Sequence, residues 1–153
     1  MARTWLQVRV ELVGGRDIVC EPRPGRVMMV GPAHTFAVLA EAIDAAYARW
    51  DLSHLHGFEL ADGRRIGFPD PDFDEPRWLD QAVLKVAAEV EPGDEFSYTF
   101  DFGDDWRHHC RVLPEKVDPR VEYGPLPKRP VAIWGWGWIP DQYGRTTLDE
   151  EGD

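Results

Sequence analysis

Between Glu95 and Phe102 the chain alternates without a break: Phe96, Tyr98, Phe100 and Phe102 take one parity, Ser97, Thr99 and Asp101 the other. Side chains leave a strand on opposite faces with period two, so this stretch has to be a strand with an aromatic core side. Trp106 to Leu113 can pair back across Gly103-Asp104-Asp105, which predicts an aromatic hairpin. A second alternating run, Thr4 to Val13, sets Leu6, Val8, Val10 and Leu12 against Gln7, Arg9 and Glu11 and stops at Gly14-Gly15. It reads as another half-buried strand.

Only one segment carries a clear helical period. Phe36, Leu39, Ile43, Tyr47 and Trp50 recur at three- and four-residue steps behind Thr35, an N-cap residue type, predicting a helix from Phe36 to Trp50. Leu55 to Leu60 and Arg64 to Phe68 flank Asp62-Gly63, a tight-turn pair, and predict a further hairpin. The runs Asp17 to Cys20 and Val27 to Val30 predict interrupted strands around Pro22, Pro24 and Gly25. Pro69 to Pro76 reads as a surface loop, Trp78 to Val90 as containing a helical stretch, and the prolines beyond Pro114 leave little regular structure to place. The class is α+β: one domain over residues 1–145, with an antiparallel or mixed β-sheet built from hairpins packed against one main helix, then a frayed acidic tail over 146–153.

Charge narrows the partners. The chain holds 28 acidic against 17 basic residues, a net charge of −11, which repels a phosphate backbone unless the basic residues gather on one face. The basic pairs Arg64-Arg65 and Lys128-Arg129 are a thin footprint for that, so nucleic acid is not the expected partner. No apolar run reaches the roughly 20 residues of a membrane-spanning helix, and Met1 to Val10 lacks the apolar stretch of a signal peptide. The expected setting is the cytoplasm, with Cys20 and Cys110 as buried free thiols.

Two motifs stand out: Trp50-Asp-Leu-Ser-His-Leu-His-Gly-Phe58, after the helix, and Tyr98-Thr-Phe-Asp-Phe-Gly-Asp-Asp-Trp-Arg-His108, in the aromatic hairpin. Together they resemble the plasmid pRiA4b ORF-3-like family, over about Thr4 to Leu113. Some relatives are described as insertion-sequence passenger proteins of a TnpR type. The resemblance implies an α+β fold and a link to mobile elements, and no established activity. Two segments depart from the family pattern, the second strand around Ile18 to Val30 and the C-terminal stretch Trp134 to Tyr143. Serine recombination is not implied, because Ser53 and Ser97 both lack the arginine-rich setting that chemistry needs.

The same motifs hold the candidate site. His54 and His56 share a parity if extended, and with His108 they form a candidate set of metal ligands, to which Asp101 and Asp104 could add carboxylates. A divalent ion there would activate water, the basis of a hydrolase-like alternative. The preferred alternative is structural: Asp104 caps the turn, Asp101 accepts backbone donors, and the histidines join them in a polar cluster. His109 has the opposite parity to His108 and is expected at the surface, while His34 belongs to the start of the helix. Asp70, Asp72 and Asp74 begin like a calcium loop, but Glu75 and Gln81 stand where an EF-hand needs glycine and glutamate. Asp101-Phe102-Gly103 and Ser53-His54 lack the surroundings of a kinase or a hydrolase.

Trp134, Trp136 and Trp138 alternate with Gly135 and Gly137. The preferred expectation is a strap that buries the indoles as core; the competing one is an exposed ladder that stacks on a ligand. Taken together, the residues point to a non-enzymatic binding or accessory module for a protein or small molecule, using His54, His56, Asp101, Asp104, Trp106 and His108, with no resident cofactor. A nucleic-acid accessory factor, needing Arg64, Arg65, Lys128 and Arg129 on one face, is the third option.

Overall fold

A computed structural model of the chain describes residues 4–69 and 78–144. The expected tail over 146–153, the calcium-like Asp70, Asp72 and Asp74, and nearly all of the Pro69 to Pro76 loop lie outside the described residues. Among the described residues nine strands form one mixed sheet: β1 (Leu6–Gly15), β2 (Ile18–Val19), β3 (Gly25–Val30), β4 (His56–Leu60), β5 (Arg65–Gly67), β6 (Trp78–Asp80), β7 (Glu95–Phe100), β8 (Trp106–Val112) and β9 (Val131–Trp136). The order across the sheet is β6-β5-β4-β7-β8-β1-β3-β9, with β2 paired to β1. Three helices, α1 (Phe36–Ala46), α2 (Val86–Glu89) and α3 (Pro119–Glu122), complete the described elements. The α+β class expected from the sequence is the class observed.

Alternation in the strands decides which face is core. Val8, Val10 and Leu12 of β1, Phe96, Tyr98 and Phe100 of β7, and Trp106, Cys110 and Val112 of β8 are buried and share one cluster with Phe36, Leu39, Ala40 and Ile43 of α1. Phe36 meets Phe58 edge-on, with ring centroids 5.0 Å apart. The opposite parity, including Arg9, Glu59, Ser97 and Arg107, points to the outer face of the sheet. Phe102 was expected on the core parity, yet it is exposed. Asp101 adopts φ 63°, which ends β7 at Phe100, two residues earlier than expected, and swings Phe102 outward.

Helix α1 begins where expected. Thr35 Oγ1 accepts from the Val38 amide at 3.3 Å, and the next free amides, Phe36 and Ala37, donate to Leu84 and Gln81 carbonyls. It ends earlier than Trp50. The Ala48 amide donates to Ala45 O and the Arg49 amide to Asp44 O, with Ala48 at φ 55°, the paired bonds of a Schellman ending. The helix therefore stops at Ala46 and turns Arg49 back into the core.

The stretch from Trp78 to Val90 does contain the expected helical segment, but a short one. The first three residues of the stretch are a strand parallel to β5, and only Val86–Glu89 is helical. The Cys20 and Cys110 thiols are free and buried. No helix among the described residues is long and apolar enough to cross a membrane.

Candidate functional site

The two motifs do meet, at the end of the sheet where the α1–β4 loop passes the β7–β8 turn. His54 Nδ1 lies 3.5 Å from Asp101 Oδ2. Asp101 Oδ1 accepts from the Gly103 and Asp104 amides at 3.0 and 3.3 Å, so Asp101, not Asp104, holds the tight turn. Asp104 contributes backbone, its carbonyl accepting from the Arg16 amide at 2.7 Å.

The remaining partners of this loop come from the end of the Trp134 to Tyr143 stretch, which the sequence marked as a departure from the family pattern and not as part of the site. The Tyr143 hydroxyl donates to Asp51 Oδ2 at 2.7 Å and lies 2.6 Å from His54 Nε2, which donates to it in turn. Asp51 Oδ1 takes the Ser53 hydroxyl at 2.6 Å. These hydrogen bonds hold the Asp51 carboxyl far below the usual carboxylate range, and the carboxylate pushes the Tyr143 phenol up to about 12. Buried Gln142 completes the clamp: its Oε1 accepts from the Trp50 and Asp51 amides and its Nε2 donates to Asp51 O at 2.8 Å.

His56 and His108 belong to other networks. His56 Nε2 bonds Gln81 Oε1 at 2.9 Å, linking β4 to the loop that receives the start of α1. Its burial lowers its pKa. His108 is buried in the core; its Nδ1 donates to Tyr98 O at 3.0 Å and its Nε2 accepts from Arg49 Nη2 at 3.2 Å. Burial, with the Arg49 charge second, drops its pKa to about 3. Both ring nitrogens are engaged and the ring is neutral.

The metal-ligand set expected from His54, His56 and His108 is therefore not assembled. Each histidine serves a separate hydrogen-bond network, and among the described residues no group of three or more His, Cys, Asp or Glu is placed to hold a metal ion. Trp106 is likewise core: the Arg49 guanidinium sits 4.9 Å over its ring, and Gly15 lies against its other atoms so closely that a Cβ there would come within 2.5 Å. Arg49 Nε and Trp106 Nε1 are the buried side-chain nitrogens without a hydrogen-bond partner among the described residues.

Asp44 is a further buried polar group that motif reading passed over. It accepts from the Tyr98 hydroxyl at 2.8 Å, and burial raises its pKa to about 7 against the lowering effects of Tyr98 and Arg49. A signal existed: Asp44 follows Phe36 and Ala40 at steps of four, on the apolar stripe of α1. Nothing local marks Gln142 or Tyr143, whose partners lie about 90 residues away.

The tryptophans correct the expectation of a buried strap. Trp134 is 68% exposed and Trp138 80%. Trp136 alone packs down, over Gly25, with the Arg9 guanidinium 4.6 Å from its ring and its Nε1 donating to Arg23 O. Gly137, at φ 87°, ends β9 and takes Trp138 out of the strand repeat. The basic pairs also separate in role: Arg64 and Arg65 bond Asp62, Glu89 and Glu59 beside the β4–β5 hairpin, while Arg129 pairs with Glu41 of α1.

A mixed sheet that buries one aromatic face, with the His54 loop pinned to the Asp101 turn, defines the kind of domain this is. The chain belongs to the plasmid pRiA4b ORF-3-like family, whose model matches residues 4–135, further than the Thr4 to Leu113 resemblance. The crystal structure of a protein of unknown function from Methanosarcina mazei Go1, designated MM3350, has a similar fold, with TM-score 0.72 and 23% identity over 99% of this chain and 80% of that one. No curated protein matches the chain. Gln142 and Tyr143 lie beyond the family match, so the clamp on the His54 loop is built from residues outside it.

Proposed function

We propose that the chain is a non-enzymatic binding module that takes an extended segment of a partner protein along the free edge of β9, gripped by Trp134 and Trp138. The observation that carries this reading is the exposure of those two indoles beside a strand that, among the described residues, pairs on one side only, with β3. Edge strands are normally guarded by charge, proline or shortness, because their unpaired N–H and C=O groups recruit other strands. Val131–Trp136 has six residues, none charged and none proline. A groove of about 540 Å³ is lined by Ala132 to Gly137 together with Arg26 of β3. Added strands draw affinity from main-chain hydrogen bonds and specificity from alternate side chains, and tryptophan is the residue type most enriched at such contacts.

The histidines support a binding role over a hydrolytic one, since both His108 nitrogens are committed inside the core and His56 is tied to Gln81. We place the module in the cytoplasm, in keeping with its two free thiols, and in the service of a mobile element, in keeping with the plasmid in its family's description.

Extended peptides selected from a random library against the purified protein provide the test. They should perturb the amide resonances of residues 131–138, and Trp134→Ala with Trp138→Ala should weaken them at least tenfold with an unchanged circular dichroism spectrum. Selected peptides that bind the double variant equally well, or that shift resonances elsewhere, would overturn the proposal.

A further inference from the structure

At the other end of the sheet, the outer face carries a trough that the binding edge does not use. Its volume is about 340 Å³. Register places its parts together: Gly57 faces Thr99, Glu59 faces Ser97 and Arg65, and Arg65 faces Trp78. Gly57 lets the Trp78 ring lie against the sheet as the trough's wall, since a Cβ there would come within 2.5 Å of that ring. Trp78 and Phe102 then stand as one aromatic wall, with ring centroids 5.8 Å apart and Phe102 exposed.

The polar groups define what such a trough would take. Arg65 Nε is bonded to Glu59 Oε1 at 3.2 Å, so the rim offers a donor fork and an acceptor pair with no net charge. Among the described residues the Ser97 and Thr99 hydroxyls, each able to donate and accept, have no hydrogen-bond partner. An anion or a cation would have to compete with an existing ion pair. A neutral polyol would not: its hydroxyls match the mixed donors and acceptors, and the C–H face of a pyranose matches an indole or phenyl platform. A nucleobase would stack on the same aromatics but would leave most of the mixed donors and acceptors of the rim unmatched, so nucleosides are the competing ligands of the test.

We infer that this trough is a second binding site, for a neutral saccharide. It lies on β4, β5, β6 and β7, at the opposite end of the strand order from β9, so it is independent of the edge proposed above. The probes are glucose, galactose, maltose and cellobiose, each titrated to 50 mM into isotope-labelled protein, with adenosine and uridine as competitors at their solubility limits. At least one sugar should shift the Trp78 indole N–H and the Ser97 and Thr99 amides in a saturable way. Phe102→Ala and the isosteric Thr99→Val should each weaken that response at least threefold, and Trp134→Ala should leave it unchanged. Thr99→Val keeps the proposal testable if Trp78 or Phe102 variants lose the fold. No saturable shift with any sugar, or a preference for the nucleosides at the same resonances, overturns it.

Discussion

The Tyr143 hydroxyl reaches Asp51 Oδ2 across 92 residues of chain at 2.7 Å, and that contact fastens the C-terminal strap onto the loop that presents His54. The strap has two parts of unequal weight. Gln142 is buried and makes three hydrogen bonds to Trp50 and Asp51 backbone groups, whereas Tyr143 acts in a half-exposed setting. Gln142→Ala strands those backbone groups and should cost about 1–3 kcal/mol, more than Tyr143→Phe. Urea unfolding measures both. Hydrogen exchange at the Trp50 and Asp51 amides should speed up in the Gln142 variant and much less in the Tyr143 variant.

Ala48 sits at φ 55° in the position where a Schellman ending prefers glycine. The left-handed conformation costs an alanine roughly 1 kcal/mol that glycine does not incur. Set against the added freedom of the unfolded chain, about 0.4–1 kcal/mol, this leaves Ala48→Gly stabilising the protein by up to about 0.5 kcal/mol. A raised urea midpoint with an unchanged slope is the expected result; a lowered midpoint would mean that the Ala48 methyl packs more than its backbone strains.

The same turn delivers Arg49 to its buried place. Its guanidinium donates to Tyr47 O at 3.1 Å and to His108 Nε2, and lies over Trp106. Lysine keeps the charge but has neither the planar fork nor the flat face that stacks on the indole. Arg49→Lys should cost about 2–3 kcal/mol, because one ammonium replaces the two guanidinium nitrogens that serve Tyr47 O and His108 Nε2, and Arg49→Met, which removes both donors, should cost at least as much. Near-wild-type stability of the lysine variant in thermal unfolding would show that charge alone holds the cluster.

How legible this was depended on range. Strands β1, β7 and β8, the Thr35 cap and the Asp62-Gly63 turn follow from local alternation and local hydrogen bonding, so the sequence states them. The end of α1 was hidden because Ala48 carries no glycine signal for its positive φ. The short parallel strand at Trp78 was hidden because β5 supplies its partner, and the tryptophans of β9 because alternation alone cannot tell an edge strand's exposed face from a covered one. In the site, His54 and Asp101 were found as motif residues, while Asp51, Gln142 and Tyr143 act through contacts that spacing does not encode.

Two buried groups of the core should oppose each other in acid. Asp44, at about 7 when folded and near 3.8 when unfolded, keeps its proton longer in the native state. Its contribution therefore strengthens the fold as pH falls from about 7 towards 4, and weakens it on the way back up. His108, at about 3 when folded and near 6.5 when unfolded, does the reverse: the unfolded chain takes the proton first, so stability is lost as pH falls from about 6.5 to 3. Each slope reaches up to about 1.4 kcal/mol per pH unit, and over pH 4 to 6.5 they largely cancel. Asp44→Asn keeps the Tyr98 hydrogen bond through its amide oxygen but removes one of the two slopes. Urea unfolding of that variant between pH 7 and 4.5 should show stability falling more steeply with acid than in the wild type, and parallel curves would mean that Asp44 ionises normally in the fold.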